Sequence, residues 1–136
     1  MKAKRDNKGF SLVELIIVIA IMAVLIGVMA PQYLRYVNNA RVNTDITNAS
    51  EIAKVIDAAH AKSYGDPVDE IISGAGGTSI SNVSELSVLP VSKVNGAYIW
   101  EIHSTKGSGV SQITLNGYVI YPYSEAPGTF YGEYHQ

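Results

Sequence analysis

The chain has 136 residues, which is enough for one domain and an appended element. Its 12 acidic and 10 basic side chains argue against a nucleic-acid-binding surface built from net charge, so nucleic acid is not an expected partner. Since there is no cysteine, a disulfide framework, a thiolate metal site and a cysteine nucleophile are all excluded.

A basic N-terminus precedes a long apolar segment. The first nine residues contain four Lys or Arg side chains and one Asp, whereas residues 10–30 contain a single charged side chain, Glu14. At about 1.5 Å per residue, a helix over residues 10–30 would cross a hydrocarbon layer of roughly 30 Å. Basic residues stay on the cytoplasmic side, which predicts a single-pass protein of the cytoplasmic membrane with its N-terminus inside.

Glu14 is the unusual residue of this segment. A carboxylate in a membrane helix costs about 2.5–3.5 kcal/mol on insertion scales, so it marks a function or a buried partner. The alternative is that its side chain snorkels to the headgroups, because it lies near the cytoplasmic end. A conventional secretory signal is disfavoured, since its apolar region is shorter and Pro31 would directly follow a cut after Ala30.

The sequence KGFSLVEL, residues 8–15, resembles the class III signal of type IV pilins and their pseudopilin relatives. The shared pattern is a basic leader that ends in glycine, then phenylalanine, with glutamate four residues later. The resemblance implies that prepilin peptidase cleaves between Gly9 and Phe10 and methylates the new Phe10 amine. It also implies that Glu14 pairs with the ammonium group of a neighbouring subunit during assembly, and that Pro31 kinks the helix.

The same resemblance implies a structural subunit of a type IV pilus. Such a subunit forms a homo-oligomeric helical filament, which a pilus assembly machinery extends from the membrane to the cell surface with the help of minor pilins. No enzymatic activity, cofactor or small-molecule substrate is implied. A minor pilin or a pseudopilin of a type II secretion or DNA-uptake system is the alternative within the family. Outside it, the alternative is a membrane-anchored binding module that never assembles.

The helical pattern continues beyond the apolar segment. Apolar residues recur at spacings of three and four from Leu34 to Ala59, which predicts an amphipathic helix that ends near Tyr64. Gly65 and the Asp-Pro pair after it favour that end, since glycine suits the left-handed cap and proline cannot extend a helix. The predicted segments are a leader 1–9, a membrane and assembly helix 10–30, an amphipathic helix 31–65, a connecting loop region 66–90 and a sheet 91–136.

The last third of the chain predicts an antiparallel β-meander. The Asn95-Gly96 and Asn116-Gly117 pairs are hairpin signals, because type I′ turns need positive φ at both central positions. The glycines at 74–77 lack the flanking pattern of a phosphate loop and predict a flexible surface loop. The predicted fold class is α+β and pilin-like, with a long N-terminal helix packed on about four strands, over residues 88–94, 97–104, 110–115 and 118–123.

Candidate catalytic and metal-binding residues are scattered. The histidines lack the spacing of a metal site and no nucleophile elbow is present, so no catalytic, cofactor-binding or metal residues are predicted. The acidic group Asp66, Asp69 and Glu70 lacks the pattern of a calcium loop and predicts a solvated turn or helix end. The histidines are His60, His103 and His135.

Six aromatic residues cluster near the C-terminus. Tyrosine combines apolar area with a hydroxyl group, so the cluster could form an adhesive or subunit-contact surface. Alternatively, these residues simply pack along strands, where aromatic side chains are frequent. They are Tyr118, Tyr121, Tyr123, Phe130, Tyr131 and Tyr134.

Overall fold

The computed structural model describes residues 9–62, 70–79, 86, 88–105 and 108–135. Over these residues the chain forms helices and one antiparallel sheet, which confirms the predicted α+β class. It divides into two units, with the boundary between Tyr36 and Val37. In chain order the elements are α1 (Leu12–Lys62), β1 (Glu70–Ala75), β2 (Ile99–Thr105), β3 (Gly109–Leu115), β4 (Tyr118–Tyr121) and α2 (Phe130–Tyr134).

The part of α1 in the N-terminal unit exposes its apolar side chains. From Leu12 to Met29 every large apolar side chain is at least 44% exposed. By length and composition, α1 is long and apolar enough to cross a membrane. An apolar surface of this extent is stable only in lipid or against other protein.

The part of α1 from Val37 onward buries one face against the sheet. The predicted apolar face is confirmed there, because fully buried residues recur at spacings of three and four. The predicted end near Tyr64 and its Gly65 cap lie outside the described residues. The buried apolar residues of α1 are Val42, Ala49, Ile52, Ala53 and Ile56.

The four strands are antiparallel and neighbour one another in chain order, as a meander. Trp100 and Ile102 on β2 lie opposite Leu115 and Ile113 on β3, and all four side chains are fully buried. Burying such side chains contributes on the order of 1.5–3 kcal/mol each. The Trp100 indole N–H donates to the Pro90 carbonyl oxygen at 2.8 Å, so its polar group is also satisfied.

The first strand of the sheet is not the one predicted. The strand expected over 88–94 is wrong, and β1, inside the region expected to be a connecting loop, pairs with β2 instead. The physical reason lies in residues 92–94, whose hydrogen-bond donors bind the Asp45 carboxylate of α1 rather than a neighbouring strand. Gly74 and Ala75 therefore end a strand, which corrects the predicted loop at these two positions, while Gly76 and Gly77 lie in a turn.

The two predicted hairpins have different outcomes. Asn116 and Gly117 have φ values of 53° and 82° and connect β3 to β4, which confirms this turn. The Asn95-Gly96 pair forms a turn closed by a 3.0 Å bond from the Tyr98 N–H to the Asn95 carbonyl oxygen. It joins no two strands, because the residues before it are not in the sheet.

The C-terminal residues form a short helix where a continuation of the sheet was expected. The Thr129 hydroxyl oxygen accepts a hydrogen bond from the Gly132 N–H at 3.3 Å and caps α2. At the other end of α2, the Asn38 side-chain amide donates to the Tyr134 carbonyl oxygen at 2.7 Å. This bond fastens the C-terminal helix to α1 in a chain that has no disulfide.

Packing accounts for most of the C-terminal aromatic cluster. Phe130 is fully buried, and the Tyr134 ring lies 4.8–5.7 Å from the rings of Phe130, Tyr118 and Tyr98. The exception is Tyr123, whose side chain is 52% exposed. The cluster is therefore chiefly an extension of the core, where aromatic pairs add to the stability from burial.

Candidate functional site

The predicted cleavage residues lie just before α1 begins. Gly9 and Phe10 have no helical structure, and the Phe10 side chain is 90% exposed. Among the described residues, no heavy atom outside the immediate neighbours lies within 4 Å of the position that a Cβ on Gly9 would occupy. A peptidase could therefore reach the Gly9–Phe10 peptide bond without displacing packed side chains.

Ser11 and Glu14 form a capping box at the start of α1. The Ser11 N–H donates to Glu14 Oε2 at 2.8 Å, and the Ser11 hydroxyl oxygen accepts from the Val13 N–H at 3.4 Å. The Leu15 N–H donates to the Ser11 carbonyl oxygen at 3.2 Å, which closes the first helical turn. The box fixes Ser11 as the last residue before the helix.

The capping box gives Glu14 a partner within its own chain. A carboxylate in the first turn of a helix is stabilised by the unpaired N–H groups and the positive end of the helix dipole. The partners predicted from the sequence were a neighbouring subunit or the headgroups, whereas the structure pairs Glu14 with Ser11. The signal was present, because Ser-Leu-Val-Glu at 11–14 has the spacing of a capping box.

The structure leaves the assembly role of Glu14 as a prediction. Glu14 Oε2 is occupied by Ser11, while the described residues give Oε1 no hydrogen bond. One oxygen of this carboxylate could therefore accept a bond from an ammonium group outside the chain. Pro31 lies inside α1, 17 residues after Glu14, and the two are not brought together. Its predicted kink also stays a prediction.

Two carboxylates of α1 accept hydrogen bonds from other parts of the second unit, Val37–Gln136, which we call the head domain. Neither contact was predicted from the sequence. Asp45 is fully buried and accepts bonds from the Ser92 hydroxyl and from the N–H groups of Lys93 and Val94. Asp57 accepts from the Val110 N–H at 2.7 Å. Asp45 had no signal in the sequence, because an acidic residue among helical polar positions predicts solvent exposure.

The histidines form no common site in the described residues. His60 lies on α1, His103 on β2 and His135 after α2, where its ring stacks on Tyr131 at 4.1 Å. In the part of the chain that the structure describes, no three His, Asp or Glu side chains are grouped closely enough to hold a metal ion. The acidic pair at 66 and 69 lies outside that part.

Comparison with known proteins points to the N-terminal segment. Residues 4–30 match the family model described as "Prokaryotic N-terminal methylation motif". A curated relative, "Prepilin peptidase-dependent protein A" of Clostridium perfringens (strain 13 / Type A), is 33% identical over 88 residues, which cover 62% of this chain and 63% of the relative. The chain thus matches less than two thirds of that relative's length. No solved structure matches the chain. The predicted resemblance to type IV prepilins is confirmed by these matches.

Proposed function

We propose that this pilin-like chain, which carries the prokaryotic N-terminal methylation motif, is a structural subunit of a type IV pilus. The observation that carries the proposal is the junction at Gly9 and Phe10, where an exposed, non-helical dipeptide meets an exposed apolar helix. The name of the curated relative, which describes a dependence on prepilin peptidase, supports the same reading.

The first step is hydrolysis by prepilin peptidase on the cytoplasmic side of the membrane. Water adds across the Gly9–Phe10 peptide bond, so the leader keeps a carboxylate on Gly9 and the mature chain begins with an ammonium group on Phe10. The same enzyme would then transfer a methyl group from a sulfonium methyl donor to the deprotonated Phe10 amine, with release of a thioether. Because the apolar helix starts two residues later, the mature chain remains anchored by α1 in the membrane.

The second step is assembly through α1. In the membrane, the apolar side chains of residues 12–29 would contact lipid. In a filament, they would instead pack against the same residues of neighbouring copies. Lipid and protein are similarly apolar, so burial alone does not set the register between copies. A bond between Glu14 and the Phe10 ammonium of a neighbour would set it, because an unpaired charge in any other register is costly.

The head domain supplies the surface of the proposed filament. It would lie outside the membrane, since the basic N-terminus is retained in the cytoplasm. Its partners would be other copies, minor pilins and the assembly machinery, and its role structural rather than catalytic. The alternative within the family, a minor pilin or pseudopilin, shares the processing step and differs in abundance within the assembled fibre.

The Gly9→Val variant tests the proposal in the native cell. The space around Gly9 is open, so a larger side chain leaves the fold of the chain unchanged and acts on the peptidase. We expect uncleaved protein in the membrane and no filaments in sheared surface material by electron microscopy. Filaments built from uncleaved Gly9→Val protein would contradict the proposal. Wild-type filaments that contain the chain only at trace level would favour the minor-pilin alternative.

A further inference from the structure

The capping box lies beside the bond that the peptidase is proposed to cut. Ser11 is the last residue before α1 begins. Phe10, directly before Ser11 in the chain, contributes the nitrogen of the scissile Gly9–Phe10 bond. We propose that Ser11 is a positioning residue for prepilin processing: by capping α1 it keeps the scissile bond outside the helix. This inference rests on the proposed function.

Two residues compete for the N-cap position of α1. Serine is among the strongest N-cap residues, and glycine is the next candidate upstream, whereas alanine is poor. If the cap moves from Ser11 to Gly9, Phe10 becomes the first residue of the helix. The scissile peptide would then join the cap to the first helical turn, with its backbone in a fixed helical geometry. The bonds of Ser11 to Glu14 and Val13 favour the downstream start.

The start of the helix matters for cleavage because a peptidase needs an accessible backbone. Exposed, non-helical segments are the preferred sites of proteolysis, while a helical segment must first unwind. In the structure Phe10 is 90% exposed and precedes the helix, so the cleavable conformation is already populated. The apparent affinity of the peptidase for a substrate is its intrinsic affinity multiplied by the fraction of substrate in this conformation. A variant with a smaller fraction therefore binds the peptidase more weakly.

The test uses the purified full-length prepilin in detergent micelles with a purified prepilin peptidase. Ser11→Ala removes the hydroxyl that caps Val13. We expect its kcat/KM for cleavage to fall by up to about fivefold, the factor by which a typical loss of an N-cap serine shifts the equilibrium between the two helix starts. The loss should appear in KM with kcat unchanged, because the peptidase selects the extended fraction. Ser11→Thr keeps a capping hydroxyl and should retain most of the wild-type rate.

A second variant separates helix position from direct recognition of the Ser11 hydroxyl. Proline is favoured at the first helical position, and it disfavours a helical conformation of the residue before it. The double variant Ser11→Ala with Leu12→Pro should therefore restore cleavage, since it stops the helix at the same place without the hydroxyl. Leu12 is 74% exposed, so its replacement removes no packing within the chain. Leu12→Pro alone is the matched control.

The outcomes distinguish this inference from the proposed function. Wild-type prepilin that is not cut between Gly9 and Phe10 would overturn the proposed function. Wild-type cleavage with Ser11→Ala cut equally fast would overturn the inference alone. A Ser11→Ala defect that proline at 12 fails to restore would also overturn it, because the hydroxyl would then act by direct contact. Faster amide hydrogen exchange at Phe10 in the wild type than in Ser11→Ala would support it.

Discussion

The Asp45 carboxylate accepts a 2.7 Å hydrogen bond from the Ser92 hydroxyl, across 47 residues of sequence. The carboxylate is fully buried and also accepts from the N–H groups of Lys93 and Val94. Ser92 in turn accepts from the Asn95 N–H at 3.3 Å. These bonds take the place of the backbone hydrogen bonds to a neighbouring strand that a strand over 88–94 would have needed. They also connect the loop at residues 92–95 to α1.

The Asp45 network should be a main determinant of head-domain stability. In Asp45→Ala three donors lose their acceptor at once, of which the Ser92 hydroxyl belongs to a buried residue and the N–H groups of Lys93 and Val94 make part-buried bonds. A buried donor without a partner costs about 1–3 kcal/mol, and a part-buried one costs less because water can replace the carboxylate. We expect the free energy of unfolding to fall by about 2 kcal/mol or more, measured by urea denaturation in detergent with the fluorescence of buried Trp100. Glu51→Ala, an exposed acidic residue of the same helix, should change it by less than about 0.5 kcal/mol. Equal effects of the two variants would contradict this account.

The start of β3 should tolerate no side chain at Gly109. Its φ is 78°, and a Cβ there would collide with the Asp57 carboxylate, which also accepts the bond from Val110. Gly117→Ala is the matched control, since Gly117 has a φ of 82° and open space around it. Backbone strain of about 1–2 kcal/mol is common to both variants. Urea denaturation should therefore show a clearly larger loss for Gly109→Ala, and an equal loss would mean that the Asp57 contact is unimportant.

Alkaline pH should weaken the aromatic cluster through Tyr98. A hydrogen bond with Tyr134, together with burial, raises the pKa of Tyr98 to about 12 from its ordinary value of 10.0. Because the folded state holds this proton more tightly, the stabilisation is fully present below pH 10 and is lost as the pH rises towards 12. The free energy of unfolding should fall between pH 10 and 12, and less steeply in Tyr98→Phe. An unchanged slope in that variant would exclude Tyr98 as the cause.

Substitutions at Glu14 should separate capping from assembly. Glutamine can replace glutamate in a capping box, so Glu14→Gln keeps the cap and loses the charge, whereas Glu14→Ala loses both. If the carboxylate pairs with a neighbouring Phe10 ammonium, both variants should insert into the membrane and lower the filament yield by more than about tenfold, the factor given by roughly 1.4 kcal/mol. Quantification of sheared filaments checks this. Normal yield from Glu14→Gln would show that capping alone explains the residue.

The sequence predicted the structure correctly where the conformation depends on residues that are close together in the chain. The period of apolar residues from Val42 to Ile56 predicted the buried face of α1, and Asn116-Gly117 predicted its hairpin because positive φ is a local requirement. The predicted cleavage residues, Gly9 and Phe10, come from a short motif that precedes an apolar helix, and they lie within residues 4–30, which match the family model.

Long-range contacts explain what the sequence could not predict. Residues 88–94 contain enough valine and leucine for a strand, but a buried acceptor 47 residues away binds the donors of 92–94. Without that strand, β1 covers the edge of β2, although its glycine and serine gave it little strand propensity. The bond from Asn38 to Tyr134 is likewise invisible locally, since the two residues are 96 positions apart. The capping box, in contrast, is a local pattern, since Ser11 and Glu14 are three residues apart.

Processing and assembly are tested together by intact mass and N-terminal sequencing of the chain from two fractions of its native cell, sheared surface material and membranes. We expect a high-molecular-weight surface fraction whose subunits begin at N-methylated Phe10. We also expect the membrane pool to contain the same mature chain together with the full-length precursor. Protein that is confined to the membrane and retains residues 1–9 would contradict both processing and assembly. Capping of α1 would then be the remaining role of Glu14.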